Sequence, residues 1–198
     1  MDSSTPTIDP SRAILLVMDY QPAILCNVAD ADALLARMAG AIRVARDHGL
    51  AVGYVRVAFT DDDYAKLAAT NGRFAAMAAE RRMHADAPQT AVHAEVAPEP
   101  GDIVVRKTRT GAFSTTDLDA QLRARGIDTL VLAGVSTSGV VLSTVRDAAD
   151  HDYVLFVLED CCADRDPEVH RVLMGKVFPR QARIVSAADL PGLLGAAE

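Results

Sequence analysis

Asp19, Lys107 and the stretch from Gly134 to Asp150 hold the residue types in this chain that could do chemistry together. Asp19 directly follows the apolar run AILLVM, Ala13 to Met18, and precedes Tyr20–Gln21–Pro22. A carboxylate at the end of a buried strand can move protons. The plainer reading is a loop or helix-capping carboxylate, a common role for Asp. Lys107 ends the run IVVR, residues 103 to 106, inside VVRKTRTGAF. A lone Lys is usually a solvated surface charge, but Arg106, Lys107 and Arg109 crowd together and call for an anionic partner. If Asp19 is that partner, the ammonium orients the carboxylate or lowers its pKa. In GVSTSGVVLSTVRDAAD, residues 134 to 150, a strand ends at Gly134. A turn of small residues follows, and a helix begins near Thr137 or Ser138. The N–H groups at such a start suit an oxyanion or a carboxylate. The same stretch also reads as a Ser/Thr-capped crossover helix with no further role.

These residues need elements to position them. Short apolar runs recur at 13–18, 51–58, 103–106, 129–133 and 153–158, with a last short one at 182–185 that reads as an edge strand. Each run up to 158 is followed by a segment long enough for a helix. The clearest is 31–48, with Leu34, Leu35, Met38, Ile42 and Ala45 at helical spacing and Gly49 as its C-terminal cap. Runs apolar on both faces suit strands covered by helices on both sides, and alternation of strand and helix implies a parallel, doubly wound sheet. Ligands in that architecture bind beyond the carboxyl ends of the strands. Asp19, Lys107, Ser136–Thr137–Ser138 and Asp160 all fall at expected strand ends. Residues 60–100 are less regular: 72–84 read as a helix, while Pro88, Pro98 and Pro100 break up the rest. This segment reads as a partly helical excursion near the site, a lid or an oligomer contact.

The chain has 198 residues, half of them hydrophobic and 24% charged, with a net charge of −7. One domain is expected, spanning 12–198 behind a flexible tail at 1–11. No cluster of Lys and Arg forms a basic stripe, so nucleic acid is not an expected partner. The start of the chain lacks a basic segment leading into an apolar one, and no apolar run reaches membrane-spanning length, so a cytoplasmic protein without membrane contact is expected. Cys26, Cys161 and Cys162 are too few and too odd in number for a disulfide framework. All three read as buried thiols. The five His residues read as surface or capping residues, and the acidic run Asp61–Asp62–Asp63 has no His nearby in sequence. No metal and no cofactor are expected.

Three motifs together carry a family resemblance. DYQ after the first strand, KTRTGAF after the third and GVSTSGVV after the fourth are similar to the signatures of the isochorismatase-like (cysteine hydrolase) family. EVAPEPGDIVVRK and LEDCCADRDPEVHRVLM resemble it as well, so the likeness runs from about Ala13 to Leu190. The resemblance implies a three-layer α/β/α fold with a six-stranded, mostly parallel, Rossmann-like sheet. It implies a small-molecule substrate and a homo-oligomer, a dimer or larger. It matches Asp19 and Lys107 to the family's catalytic Asp and Lys. It places a cis peptide at Val135–Ser136 and puts the donors of an oxyanion hole at the N–H groups of Ser136 and Val140. Gln21, Phe113, Val135, Ser136, Thr137 and Gly139 become the expected substrate-binding residues.

The family pattern G-x-x-T-x-x-C, counted from Gly134, puts its nucleophilic cysteine at Val140. Valine has no nucleophilic atom, so covalent thiol chemistry is excluded at that position. The resemblance also implies a precedent, since true isochorismatases cleave a vinyl ether with an acid and water and carry Gly there. The expected function is hydrolysis of a small amide, ester or vinyl-ether/carboxylate substrate by a cysteine-independent mechanism. The alternative is a noncatalytic member that binds a small molecule or a protein partner.

Overall fold

The computed structural model describes residues 7–195. Six strands form one parallel sheet: β1 (Ala13–Met18), β2 (Ala51–Val57), β3 (Ile103–Lys107), β4 (Thr129–Val135), β5 (Val154–Ala163) and β6 (Arg183–Val185). Their order is β3-β2-β1-β4-β5-β6. The helices are α1 (Pro22–Leu25), α2 (Ala31–Asp47), α3 (Asp61–Lys66), α4 (Gly72–Ala79), α5 (Leu118–Ala124), α6 (Leu142–Asp150), α7 (Pro167–Val172) and α8 (Leu190–Leu194). The architecture is the three-layer α/β/α arrangement expected from the alternation of runs. The chain leaves β1 in opposite directions at β2 and β4, and that reversal of strand order opens a crevice at the carboxyl edge.

Alternation along each strand sorts side chains to two cores. Leu15 and Val17 of β1 face a layer that contains Leu34, Leu35, Met38 and Ala45 of α2 with Leu190 and Leu193 of α8. Ile14, Leu16 and Met18 face the opposite layer, with Leu118 and Leu122 of α5 and Val141, Val145 and Ala148 from the α6 side. All six residues of β1 are buried, as a central strand covered on both faces requires. The apolar stripe expected on 31–48 is the buried face of α2, and Gly49 follows it at φ 70°, where a residue with a Cβ is disfavoured.

Three expectations need correction. β5 does not end at Glu159–Asp160 but continues through Cys161, Cys162 and Ala163. Between the pairs Leu132↔Val157 and Gly134↔Cys162, β4 advances two residues and β5 five, so the charged pair is accommodated in a bulge. The expected helix at 72–84 stops at Ala79, and a separate capped helix, α3, starts at Asp61 with Thr60 and Asp63 in a reciprocal capping box. The expected flexible tail at 1–11 packs from Ile8 onward: Ile8 is buried, its N–H donates to the Leu193 carbonyl at 2.7 Å, and Pro10–Arg12 form a 3-10 turn. Residues 1–6 of that expectation lie outside the described residues.

The excursion at 60–90 has its own small apolar centre of Val57, Phe59, Tyr64 and Phe74. Phe59 stacks on Tyr64 and meets Phe74 edge-on. This places α4 over the carboxyl edge of the sheet, where Phe74 and Met77 join the wall of the main cavity.

Candidate active site

A cavity of about 810 Å³ opens at the carboxyl edge, lined among others by Asp19, Lys107, Val135, Ser136, Gly139 and Val140. They arrive from the ends of three strands: Asp19 just after β1, Lys107 from β3, and the other four from β4 and the turn behind it. Asp19 is held where β1 ends by its N–H, which donates to the Val55 carbonyl at 2.8 Å. Its backbone takes φ 59°, a left-handed conformation that Asp accepts more readily than most residues.

Lys107, the last residue of β3, is 1% exposed and Asp19 is 5% exposed. The Lys107 Nζ donates to Asp19 Oδ2 at 2.8 Å and to the Thr110 carbonyl at 2.6 Å. The other carboxylate oxygen, Asp19 Oδ1, is buried with no hydrogen-bond partner among the described residues. Burial raises the Asp19 carboxyl above the ordinary carboxylate range, and the Lys107 charge opposes that rise without cancelling it. The pair therefore holds one oxygen fixed and leaves the other without a hydrogen-bond partner among the described residues.

The wall opposite the pair is the turn from β4 to α6. Gly134 packs tightly there: a Cβ would lie 3.1 Å from both Cβ and O of Met18 and from Val141 Cγ2, so these neighbours would have to give way. The peptide Val135–Ser136 is cis, and a π-helical turn spans Thr137–Val141 before α6 begins. The N–H of Ser138 donates to Asp164 Oδ2 at 2.7 Å, and those of Gly139 and Val141 donate to the Ser136 carbonyl. A side chain on Gly139 would meet Ser136 Oγ at 2.7 Å. Thr137 is fully buried, with its hydroxyl 2.8 Å from His170 Nδ1. Burial holds that imidazole below its ordinary range. The turn is thus pinned from the segment that follows β5, by Asp164 and by His170.

Not every expected site residue meets here. Gln21 is buried away from the cavity: its Nε2 donates to the carbonyls of Val57 at 3.0 Å and Thr90 at 2.6 Å, and its Oε1 accepts from the Val57 N–H at 2.9 Å. It ties the loop after β1 to β2 and to the excursion. Phe113 turns to the other end, stacking on His151 and Tyr153. Thr137 backs the turn without lining the cavity. Asp160 caps another turn, accepting from the Ala187 N–H at 2.8 Å. Cys26 is exposed rather than buried, because α1 is a single short helix at the surface. Cys161 and Cys162 are buried free thiols, and burial pushes Cys161 up to about 12 and Cys162 higher still. No cysteine lines the cavity among the described residues.

Of the cavity's arginines the sequence singled out only Arg109, through its crowding with Arg106 and Lys107; it gave no sign of Asp164, His84 or the other arginines that line the cavity. His84, from beyond α4, reaches it with its Nε2 3.4 Å from Asp61 Oδ1. Among the described residues no three His, Cys, Asp or Glu side chains group as a metal site would need. No helix among them is long and apolar enough to cross a membrane.

Comparison with known proteins matches residues 13–189 to the isochorismatase domain. The chain belongs to the isochorismatase family. An uncharacterised isochorismatase-family protein of Escherichia coli O157:H7 is 43% identical over 89 residues, which is 45% of this chain and 47% of that protein. The chain thus matches about half the length of that relative. A maleamate amidohydrolase of Pseudomonas putida is 29% identical over 170 residues, covering 86% of this chain and 75% of that one. The crystal structure of a cysteine hydrolase from Pseudomonas syringae pv. phaseolicola superposes over all of both chains with a TM-score of 0.86 at 22% identity, a likeness of fold. The six-stranded parallel sheet is therefore the isochorismatase-family fold, and Asp19, Lys107 and the 134–141 turn stand at its carboxyl edge.

Proposed function

We propose that the protein hydrolyses a small amide, ester or vinyl-ether/carboxylate substrate through Asp19, with no cysteine nucleophile. The observation that carries this is the buried Asp19: Oδ2 on Lys107 and Oδ1 unpartnered, in a cavity that holds no thiol. A buried charge without a partner is costly, and a buried pair adds little to stability, so the fold alone gives little reason to keep one there. Amide hydrolysis by the Pseudomonas putida relative supports an amide within the substrate range.

In this mechanism Asp19 Oδ1 takes a proton from a water molecule as that water's oxygen attacks the substrate carbonyl carbon. The carbonyl electron pair moves to oxygen, and that negative charge is met by the N–H of Ser136, which has no acceptor among the described residues. Collapse re-forms the carbonyl and breaks the bond to nitrogen or oxygen, and Asp19 returns its proton to the leaving group. A vinyl ether uses the same group in the reverse order: protonated Asp19 gives its proton to the terminal vinyl carbon, water adds to the oxocarbenium carbon and returns a proton to Asp19, and the hemiketal collapses to a carbonyl as its C–O bond breaks and its hydroxyl proton passes to the leaving alcohol. Lys107 keeps Asp19 oriented through its hydrogen bond to Oδ2. Burial raises the Asp19 pKa, which favours the proton-holding form that the vinyl-ether route needs.

A second reading, a noncatalytic binder, is favoured by Val140. It is 2% exposed and forms part of the cavity wall at the position the resemblance assigns to the nucleophile. One experiment separates the two. Hydrolysis of a panel of small amides, carbamoyl compounds, esters and isochorismate is measured for wild type and Asp19→Asn. The proposal expects turnover that falls by about 10²- to 10⁴-fold in the variant. A folded protein that turns over nothing points to the binder, and turnover indifferent to the substitution removes Asp19 from the mechanism.

A further inference from the structure

Beyond Asp19 and Lys107, the wall of the same cavity is cationic. Six of the chain's 20 Lys and Arg residues line it, against two of its 27 Asp and Glu, although the chain as a whole carries −7. Three of the six are neutralised: Lys107 by Asp19, Arg81 by Asp61 and Arg82 by Glu80. The other three make no ion pair among the described residues, although the Arg73 charge reaches Asp19 and opposes the rise of its pKa. Arg165 donates to the Asn27 side-chain oxygen at 3.0 Å. Arg109 donates to the Thr108 carbonyl at 2.7 Å, and its guanidinium lies 5.6 Å from the centre of the Phe74 ring. Arg73 makes no hydrogen bond or ion pair among the described residues. The second acidic group of the wall, Asp164, is taken up by the N–H of Ser138.

Arg73 is also in an unfavourable place for folding. It sits in the first turn of α4, where the helix dipole repels a cation, and that turn holds no acidic residue to offset it. Its neighbour Phe74 and, one turn on, Met77 line the cavity with it, so one edge of α4 offers a cation beside apolar surface. Arg109 approaches the same ring from the loop after β3. A cleft lined by one sign of charge concentrates ligands of the other, and the planar guanidinium fork matches a carboxylate in a bidentate pair.

We infer that Arg73 and Arg109 form an anion site in this cavity for a carboxylate-bearing ligand, with Phe74 and Met77 packing a short apolar spacer between that carboxylate and the group over Asp19. The anion site stands on the charge arrangement alone. That the ligand is hydrolysed rests on the function proposed for Asp19. The substrate class is then a monoamide or monoester of a short dicarboxylic acid, the bond to be broken at Asp19 and the free carboxylate at the arginines.

The test is calorimetric binding of maleate, succinate, glutarate and adipate, each beside a neutral diamide of the same length where one exists, at low and moderate salt. The proteins are wild type, Arg73→Gln, Arg109→Gln, Arg109→Lys and, as a charge-loss control from the exposed face of α2, Arg43→Gln. Hydrolysis of the corresponding monoamides is measured in parallel. The inference expects at least one dicarboxylate to bind more tightly than its diamide, with affinity that falls with salt. It expects a loss of tenfold or more in Arg73→Gln and Arg109→Gln, a smaller loss in Arg109→Lys, and less than twofold change in Arg43→Gln. Dicarboxylates that bind no better than diamides, or binding indifferent to both Gln variants, overturn it. Arginine-dependent binding without monoamide hydrolysis leaves the anion site standing and removes the hydrolase reading. Monoamide hydrolysis indifferent to Arg73 and Arg109 does the opposite.

Discussion

Replacing Lys107 with Met removes the only cation in contact with Asp19 among the described residues and keeps the apolar stem of the side chain. The pair is nearly inaccessible to solvent, at 1% and 5% exposure. Removing one partner of such a pair costs about 3–5 kcal/mol, because the other charge is left buried and unsatisfied. The Thr110 carbonyl loses its donor in the same step. Asp19 can relieve part of the cost by taking up a proton. Its folded pKa is already raised by burial and rises further once the ammonium is gone. The folded variant then holds a proton that the unfolded chain, with a carboxyl near 3.9, has released. Stability is thus greatest below the unfolded value and is lost as pH rises through the folded one. The deficit of Lys107→Met relative to wild type should grow with pH by up to about 1.4 kcal/mol per unit until the variant's Asp19 is fully ionised. Urea unfolding of both proteins at pH 5.5, 7.0 and 8.0 measures it. A second cycle with Asp19→Asn should return much of the loss, because the amide is neutral. A loss below about 1 kcal/mol refutes the claim that the pair is buried and coupled.

Three further outcomes follow from the same geometry. Val140→Cys puts a thiol into the cavity at a cost of about 1 kcal/mol or less. Peptide mapping after brief iodoacetamide treatment near neutral pH should find alkyl groups at position 140 and at exposed Cys26, but not at Cys161 or Cys162, whose thiols burial raises. Gln21→Ala should destabilise the protein by about 2–3 kcal/mol in urea unfolding, since it leaves the N–H and carbonyl of Val57 and the carbonyl of Thr90 without this partner inside the fold. Asp164→Ala releases the Ser138 N–H and should lower kcat by about tenfold while shifting Tm little, because Asp164 is only half-buried and its shorter hydrogen bond goes to the 134–141 turn.

The sheet was legible because its strands are short runs apolar on both faces, punctuated by Asp19, Lys107 and Gly134, and because α2 repeats its apolar residues at helical spacing. The bulge in β5 was not. Glu159 and Asp160 look like a strand end, and only the register against β4 shows the chain continuing. At the site, Asp19, Lys107 and Ser136 could be placed because they fall at the ends of expected strands, whereas Gly139 and Val140 were placed by the family resemblance. Gln21 and Phe113 sit beside those positions in sequence, but their side chains turn into packing instead. Gln21 satisfies three backbone groups, and Phe113 joins an aromatic stack with His151 and Tyr153. The cationic wall was invisible because Arg73, Arg109 and Arg165 lie on three separate segments and no spacing relates them.

The central claim is hydrolysis through Asp19 with no thiol, and a variant without cysteine tests it most directly. Cys26, Cys161 and Cys162 are the only cysteines in the chain. The triple variant Cys26→Ala, Cys161→Ala, Cys162→Ala is checked for folding and compared with wild type and Asp19→Asn on the best substrate of the amide, ester and isochorismate panel. The account expects kcat/KM of the cysteine-free protein within about threefold of wild type, and a loss of about 10²-fold or more in Asp19→Asn. Activity that vanishes with the cysteines and survives in Asp19→Asn, or no turnover of any panel compound by folded wild type, contradicts it.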